Sequence, residues 1–69
     1  MMNSFKQARE VAYERLEATR AIVGITSAAL QVDQSQETID AYMDALDRHD
    51  RAKAHVVAVH AAENAENQE

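Results

Sequence analysis

The sequence predicts an all-α protein, a two-helix antiparallel hairpin that homodimerises into a four-helix bundle. Three observations carry that expectation. The 69-residue chain has no Pro and one Gly, so almost nothing in it interrupts a helix. Apolar residues recur at helical spacing over two long stretches, parted by one short polar segment around Asp33–Ser35. Ala accounts for 14 residues while Leu, Ile and Val together supply 12. Such small side chains return little buried area against an ordering cost of about 1.5 kcal/mol per residue. Self-association is the expected remedy for a chain of this size.

The first helix is expected over residues 4–32. Ser4 and Gln7 have the spacing of a capping box, and only Gly24 weakens the run that follows. At 100° per residue, Phe5, Ala8, Val11, Ala12, Leu16, Ala18, Ile22, Val23, Ile25, Ala29 and Leu30 cover about half the circumference. Thr19 and Thr26 fall inside that arc. One neighbouring helix requires a stripe of roughly 100°, so half a circle implies two or more neighbours.

The turn is expected at residues 33–35, where Asp33 and Ser35 are both suited to capping and Asp33 with Gln36 has a second capping-box spacing. The second helix is expected over residues 36–62, with Glu37 and Asp40 placed where the helix dipole favours acids. Ile39, Met43, Leu46 and Val57 form one ridge, and Ala41, Ala45, Ala52, Val56 and Val59 a second ridge of small residues. The hairpin thus spans residues 1–62, and the acidic tail, residues 63–69, is expected to fray at a helix end that disfavours negative charge. The residues expected in the core and dimer contact are Phe5, Val11, Leu16, Ile22, Val23, Ile25, Leu30, Ile39, Met43, Leu46, Val56 and Val57.

Composition excludes whole classes of chemistry. Without Cys there is no disulfide, thiolate nucleophile or Cys-based zinc site. One Gly cannot build a P-loop or a dinucleotide-binding turn. No run of 18 apolar residues exists to cross a membrane. Glu10, Glu14 and Glu17 interrupt the place where a signal peptide needs an apolar core, so a cytoplasmic location is expected.

Polar residues gather at mid-length. If the chain folds back near Gln34, Thr19 comes opposite His49 and Arg15 opposite Lys53. A belt of Arg15, Thr19, His49, Asp50 and Lys53 then crosses the bundle. An Arg15–Asp50 ion pair fixing register, with Lys53 reaching outward, is one reading of it. A charged patch recognising a partner beside the seam is the other. His49, His55 and His60 lack the i,i+3 or i,i+4 spacing of helical metal ligands, so no metal or cofactor is expected. Asp44–Arg48 and Asp47–Arg51 fit solvent-exposed i,i+4 pairs better than catalytic carboxylates. With no concave, water-excluding pocket in prospect, no enzymatic activity is expected.

Lys6, Arg9, Tyr13 and Arg20, continued by Ser27 and Gln31, run along one line of the first helix. Bases around an exposed ring can grip RNA phosphates and stack a base. The flanking glutamates and the net charge of −5 oppose that use, and an ordinary surface with Tyr13 packed on Arg9 or on the second helix is the alternative.

In its length, acidity, single break and acidic tail the chain resembles, in layout, the plasmid Rop family. That resemblance implies a hairpin dimer binding paired RNA loops through its first helices. The stretch Tyr42–Asp47, YMDALD, is similar to small phage-encoded two-helix inhibitors of the anti-quorum-sensing anti-activator type. That resemblance implies a dimer that binds and disables a host protein. No functional residue carries over from either. The sequence-based expectation is a homodimeric, non-enzymatic protein-binding module, an inhibitor or modulator of a host protein, with a Rop-like RNA regulator as the alternative.

Overall fold

A computed structural model describes the backbone of residues 4–67 and the side chains of residues 5–66. Two helices make up the fold, α1 (Ser4–Val32) and α2 (Gln36–Asn67), with no strand among the described residues. They lie side by side as a rod 53 Å long and 15 × 12 Å across.

The turn occupies residues 33–35, as its polar sequence predicts. The Asp33 amide still donates to the Ala29 carbonyl at 2.9 Å, completing the last turn of α1. Ser35 then caps α2: its hydroxyl accepts from the Thr38 amide at 3.3 Å, one of the donors a helix start leaves without a partner. The second capping box does not form, because the Gln36 side chain donates forward to Asp40 at 2.8 Å. The Ser4 side chain, and with it the first expected box, lies outside the described residues. α2 continues to Asn67, five residues past its expected end at residue 62, and Glu63 in that extension is held by Arg9 of α1. Gln68 and Glu69 lie outside the described residues.

A heptad seam joins the helices. Along α1 it runs through Phe5, Arg9, Ala12, Leu16, Thr19, Val23, Thr26 and Leu30. Along α2 it runs through Thr38, Tyr42, Ala45, His49, Ala52, Val56, Val59 and Glu63. Steps alternate between four and three residues, the 3.5-residue period that keeps one stripe facing a neighbour in a left-handed supercoil. Among the described residues only Ala12, Ala45, Ala52 and Val59 are buried, so the closest approach is made by residues with little side chain. The α2 ridge of small residues, except for the exposed Ala41, is therefore the one that meets α1. Thr19 and Thr26 are tolerated in the seam because their hydroxyls reach carbonyls of their own helix, Arg15 at 2.9 Å and Ile22 at 2.8 Å.

The expected core is only partly used within one chain. Phe5, Leu16, Val23, Leu30, Leu46 and Val56 are half-buried. Val11, Ile22, Ile25, Ile39, Met43 and Val57 are exposed. A single neighbour covers one narrow stripe of each half-circle and leaves the flank of each bare.

Candidate functional site

The mid-length belt is divided by the fold. Thr19 and His49 meet across the seam, hydroxyl to Nδ1, at 2.9 Å, as their positions predict. The other three members point elsewhere. Arg15 turns to one side of the hairpin, into a groove of about 380 Å³ that it lines with Ala18, Thr19, Arg48, Arg51, Ala52 and His55. Asp50 turns to the opposite side and pairs with Lys53 of its own helix at 3.5 Å. The expected Arg15–Asp50 pair is therefore absent among the described residues, and Arg15 sits beside Arg48 and Arg51 rather than Lys53. Helical rotation is the reason. Arg15 is four residues before a seam position and lies some 40° to one flank of it, while Asp50 is one residue after a seam position and lies 100° to the other flank.

The same rotation sorts the exposed apolar residues. On α1, Val11, Ala18, Ile22, Ile25, Ala29 and Val32 share the flank of Arg15, with Ile25 68% and Val32 89% exposed. On α2, Ile39, Met43 and Val57 lie on the flank of Asp50, Lys53 and His60, with Met43 59% and Val57 66% exposed. The two apolar stripes thus occupy opposite sides of the hairpin. The groove fixes the first side, since it gathers Arg15 and Ala18 with Arg48, Arg51 and His55. The Tyr13–His60 contact fixes the second.

Two basic residues in the groove already have carboxylate neighbours on α2. Arg48 pairs with Asp44 at 2.9 Å and Arg51 with Asp47 at 3.0 Å, the i,i+4 pairs the spacing predicts. Arg15 has no ion-pair partner among the described residues. Three arginines thus meet on one side of a chain of net charge −5, two of them balanced by their own carboxylates. Nothing in the sequence pattern alone gathers them. Arg48 and Arg51 read as solvated pairs until the hairpin brings Arg15 beside them.

The basic line of α1 is largely engaged. Arg9 donates to Glu63, and both side chains are mostly covered. The Tyr13 hydroxyl and His60 Nε2 lie 2.7 Å apart, with the rings edge to face at 5.9 Å and 65°. Arg20 approaches Glu17 at 3.8 Å. The hollow containing Lys6, Arg9 and Tyr13 is also lined by Glu10, Glu14 and Glu17, which offset its positive charge. His49 and His60 are half-buried and His55 is exposed. Among the described residues no three His, Asp or Glu side chains converge on one point, and no helix is long and apolar enough to cross a membrane.

No known family matches the chain, and neither the curated proteins nor the solved structures contain a significant match to it.

Proposed function

We propose that the chain is a small non-enzymatic protein-binding module that works as a homodimer. The opposed apolar stripes carry this reading. Face-to-face pairing of two hairpins covers one stripe and leaves the other facing water, a surface a soluble protein keeps for a partner. One side then closes the dimer, and the other offers a rigid helical ridge to a host protein. An inhibitor or modulator of the kind phages and mobile elements carry is its most specific form, supported by the Tyr42–Asp47 resemblance alone.

Sedimentation of the full chain at micromolar concentration tests the dimer, and cross-linked capture from a host lysate tests the partner. The expected result is a dimer that captures a defined protein, with Asp placed in one of the two apolar stripes, at Ile25 or at Met43, abolishing capture while the dimer persists. A rigid, cooperatively melting monomer that captures nothing overturns the proposal. The Rop-like alternative predicts RNA binding that falls steeply with salt and disappears on K6A, R9A and R20A. The engagement of Arg9 and Tyr13 with α2 weighs against it.

A further inference from the structure

The homodimer proposed above does not name the side that closes it; on the side of Arg15 the apolar residues of α1 and the charges of α2 both suit a two-fold contact. We propose that two copies join through the side bearing Arg15, Ile22 and Ile25. The two-fold axis runs perpendicular to the helices, between Val23 and Gly24 of α1 and level with Leu46 of α2. The proposal rests on the homodimer reading and assigns its surface.

Two patterns are satisfied by this axis. On α1 the exposed flank reads Val11, Arg15, Ala18, Ile22, Ile25, Ala29, Val32, with steps alternating between four and three. That is a second heptad stripe, and an antiparallel copy of it packs layer on layer. An axis between residues 23 and 24 sets Ile22 against the second copy's Ile25, and Ala18 against its Ala29. Every layer near the axis is then apolar on apolar. On α2 the same side reads Glu37, Ala41, Asp44, Arg48, Arg51, His55, again in steps of four and three. An axis at residue 46 sets Asp44 against the second copy's Arg48, and Glu37 against its His55.

The two centres lie close to one height, as a shared axis requires. The Thr19–His49 contact aligns the helices and places Leu46 opposite Ile22. That position is within two residues of the α1 centre, about 3 Å at the helical rise. A two-fold axis must satisfy both helices at once, because the same patch serves both copies. The next register toward the open end sets Arg48 against the second copy's Arg51, so like charges disfavour it.

The field of the molecule fits the same axis. On this side the bases Arg15, Arg48 and Arg51 sit at mid-length, and the carboxylates Glu37 and Asp44 sit toward the turn. The two-fold lays the turn end of one copy over the basic groove of the other. The groove is thereby given an occupant, and Ile22, Ile25 and Ala29 are given cover.

Charge-reversed full-length chains test the contact by sedimentation. D44R leaves two bases facing two bases across the axis, and R48D leaves two acids facing two acids. Each variant alone is expected to dimerise about tenfold or more weakly than the parent. Mixed one to one, they face base to acid and recover the parent affinity. An ion pair inside one chain cannot be restored by mixing, so recovery reports the contact between copies. Both positions are exposed, and circular dichroism checks that each variant remains helical. I25D, at an exposed position, is expected to abolish dimerisation without unfolding the hairpin. Variants that dimerise like the parent, or a mixture that fails to recover, overturn the assignment. A parent that dimerises, ignores I25D and is broken by V57D overturns this surface while the homodimer reading stands. A monomeric parent sinks both.

Discussion

Thr19 of α1 and His49 of α2 meet at 2.9 Å across the seam, thirty positions apart in the chain. The Thr19 hydroxyl also lies 2.9 Å from the Arg15 carbonyl and 3.1 Å from that of Leu16. It has one proton to give, so when it donates to the backbone, His49 Nδ1 must donate to it. The contact fixes the axial alignment of two helices whose other seam residues are mostly small and interchangeable. Replacing Thr19 by Val or His49 by Leu is expected to cost about 1 kcal/mol each, since either leaves the other polar group short of a partner. The double change is expected to be less destabilising than the sum, by about 0.5 kcal/mol or more. Urea unfolding of the four members of the cycle measures this, and additive costs would show that the pair does not couple.

Ala12, Ala45 and Ala52 set how closely the helices approach. Leu at Ala45 has no space to occupy without parting the seam, and about 1–3 kcal/mol of destabilisation is expected from the overpacking. Leu at the exposed Ala54 of the same helix is expected to change stability by less than about 0.5 kcal/mol. Thermal melts of A45L and A54L decide it. Equal effects would mean that the close approach is not what holds the hairpin.

The hairpin was legible from sequence because its signals are local. One polar break, no Pro and two amphipathic runs place the turn at residues 33–35 with a helix on either side of it. α2 runs five residues past its expected end, because the helix dipole that disfavours the acidic tail is a local signal and the Arg9–Glu63 contact that holds the tail spans 54 positions. The belt shows a second limit. Fold-back arithmetic brought Thr19 to His49 but says nothing of rotation about each helix. Arg15 and Asp50 were paired by height, and they face opposite sides. The basic groove was missed for the same reason, since Arg15 belongs to one helix and Arg48 and Arg51 to the other. Which half of each apolar arc the seam consumes becomes readable once the heptad step through Ala45, His49 and Ala52 is followed.

Gly24 is an interior helical residue, and a Cβ built there meets nothing within 4 Å. Its backbone is ordinary right-handed helix, with no positive φ among the described glycines. Gly24→Ala is therefore expected to stabilise the chain by about 1 kcal/mol through helix propensity alone. It lies on the flank of Tyr13, away from Ile22 and Ile25, so dimer affinity is expected to stay within a few-fold of the parent. Chemical unfolding and sedimentation of G24A check both. A loss of stability, or a lost dimer, would place another molecule against that open surface.

Ser35 caps the start of α2, its hydroxyl accepting from the Thr38 amide. Ser35→Ala is expected to cost about 1 kcal/mol, and Ser35→Gly only a few tenths. Asp33, two residues earlier, is expected to matter less, since its amide completes α1 whatever side chain it bears. Denaturant unfolding of the three variants ranks them, and a D33A cost above that of S35A would move the cap to Asp33.

Arg9 and Glu63 tie the two helices together at the end of the hairpin away from the turn. Their side chains are 34% and 25% exposed, so solvent screens the pair in part and its removal is expected to cost about 0.5–1 kcal/mol. The effect should be local. Arg9→Gln is expected to raise amide exchange through the last turns of α2, around Glu63 and Ala65, while amides around Ala45 and His49 keep their protection. Added salt should narrow the difference between parent and variant, because a screened pair has less to lose. The Tyr13–His60 contact lies one turn inward and limits how far the opening spreads. Tyr13→Phe removes that hydroxyl and, combined with R9Q, is expected to extend fast exchange inward toward Val56. Hydrogen exchange read by mass spectrometry on the two single variants and the double separates the layers. Uniform acceleration along α2 in R9Q alone would show that the pair supports the whole hairpin rather than its open end.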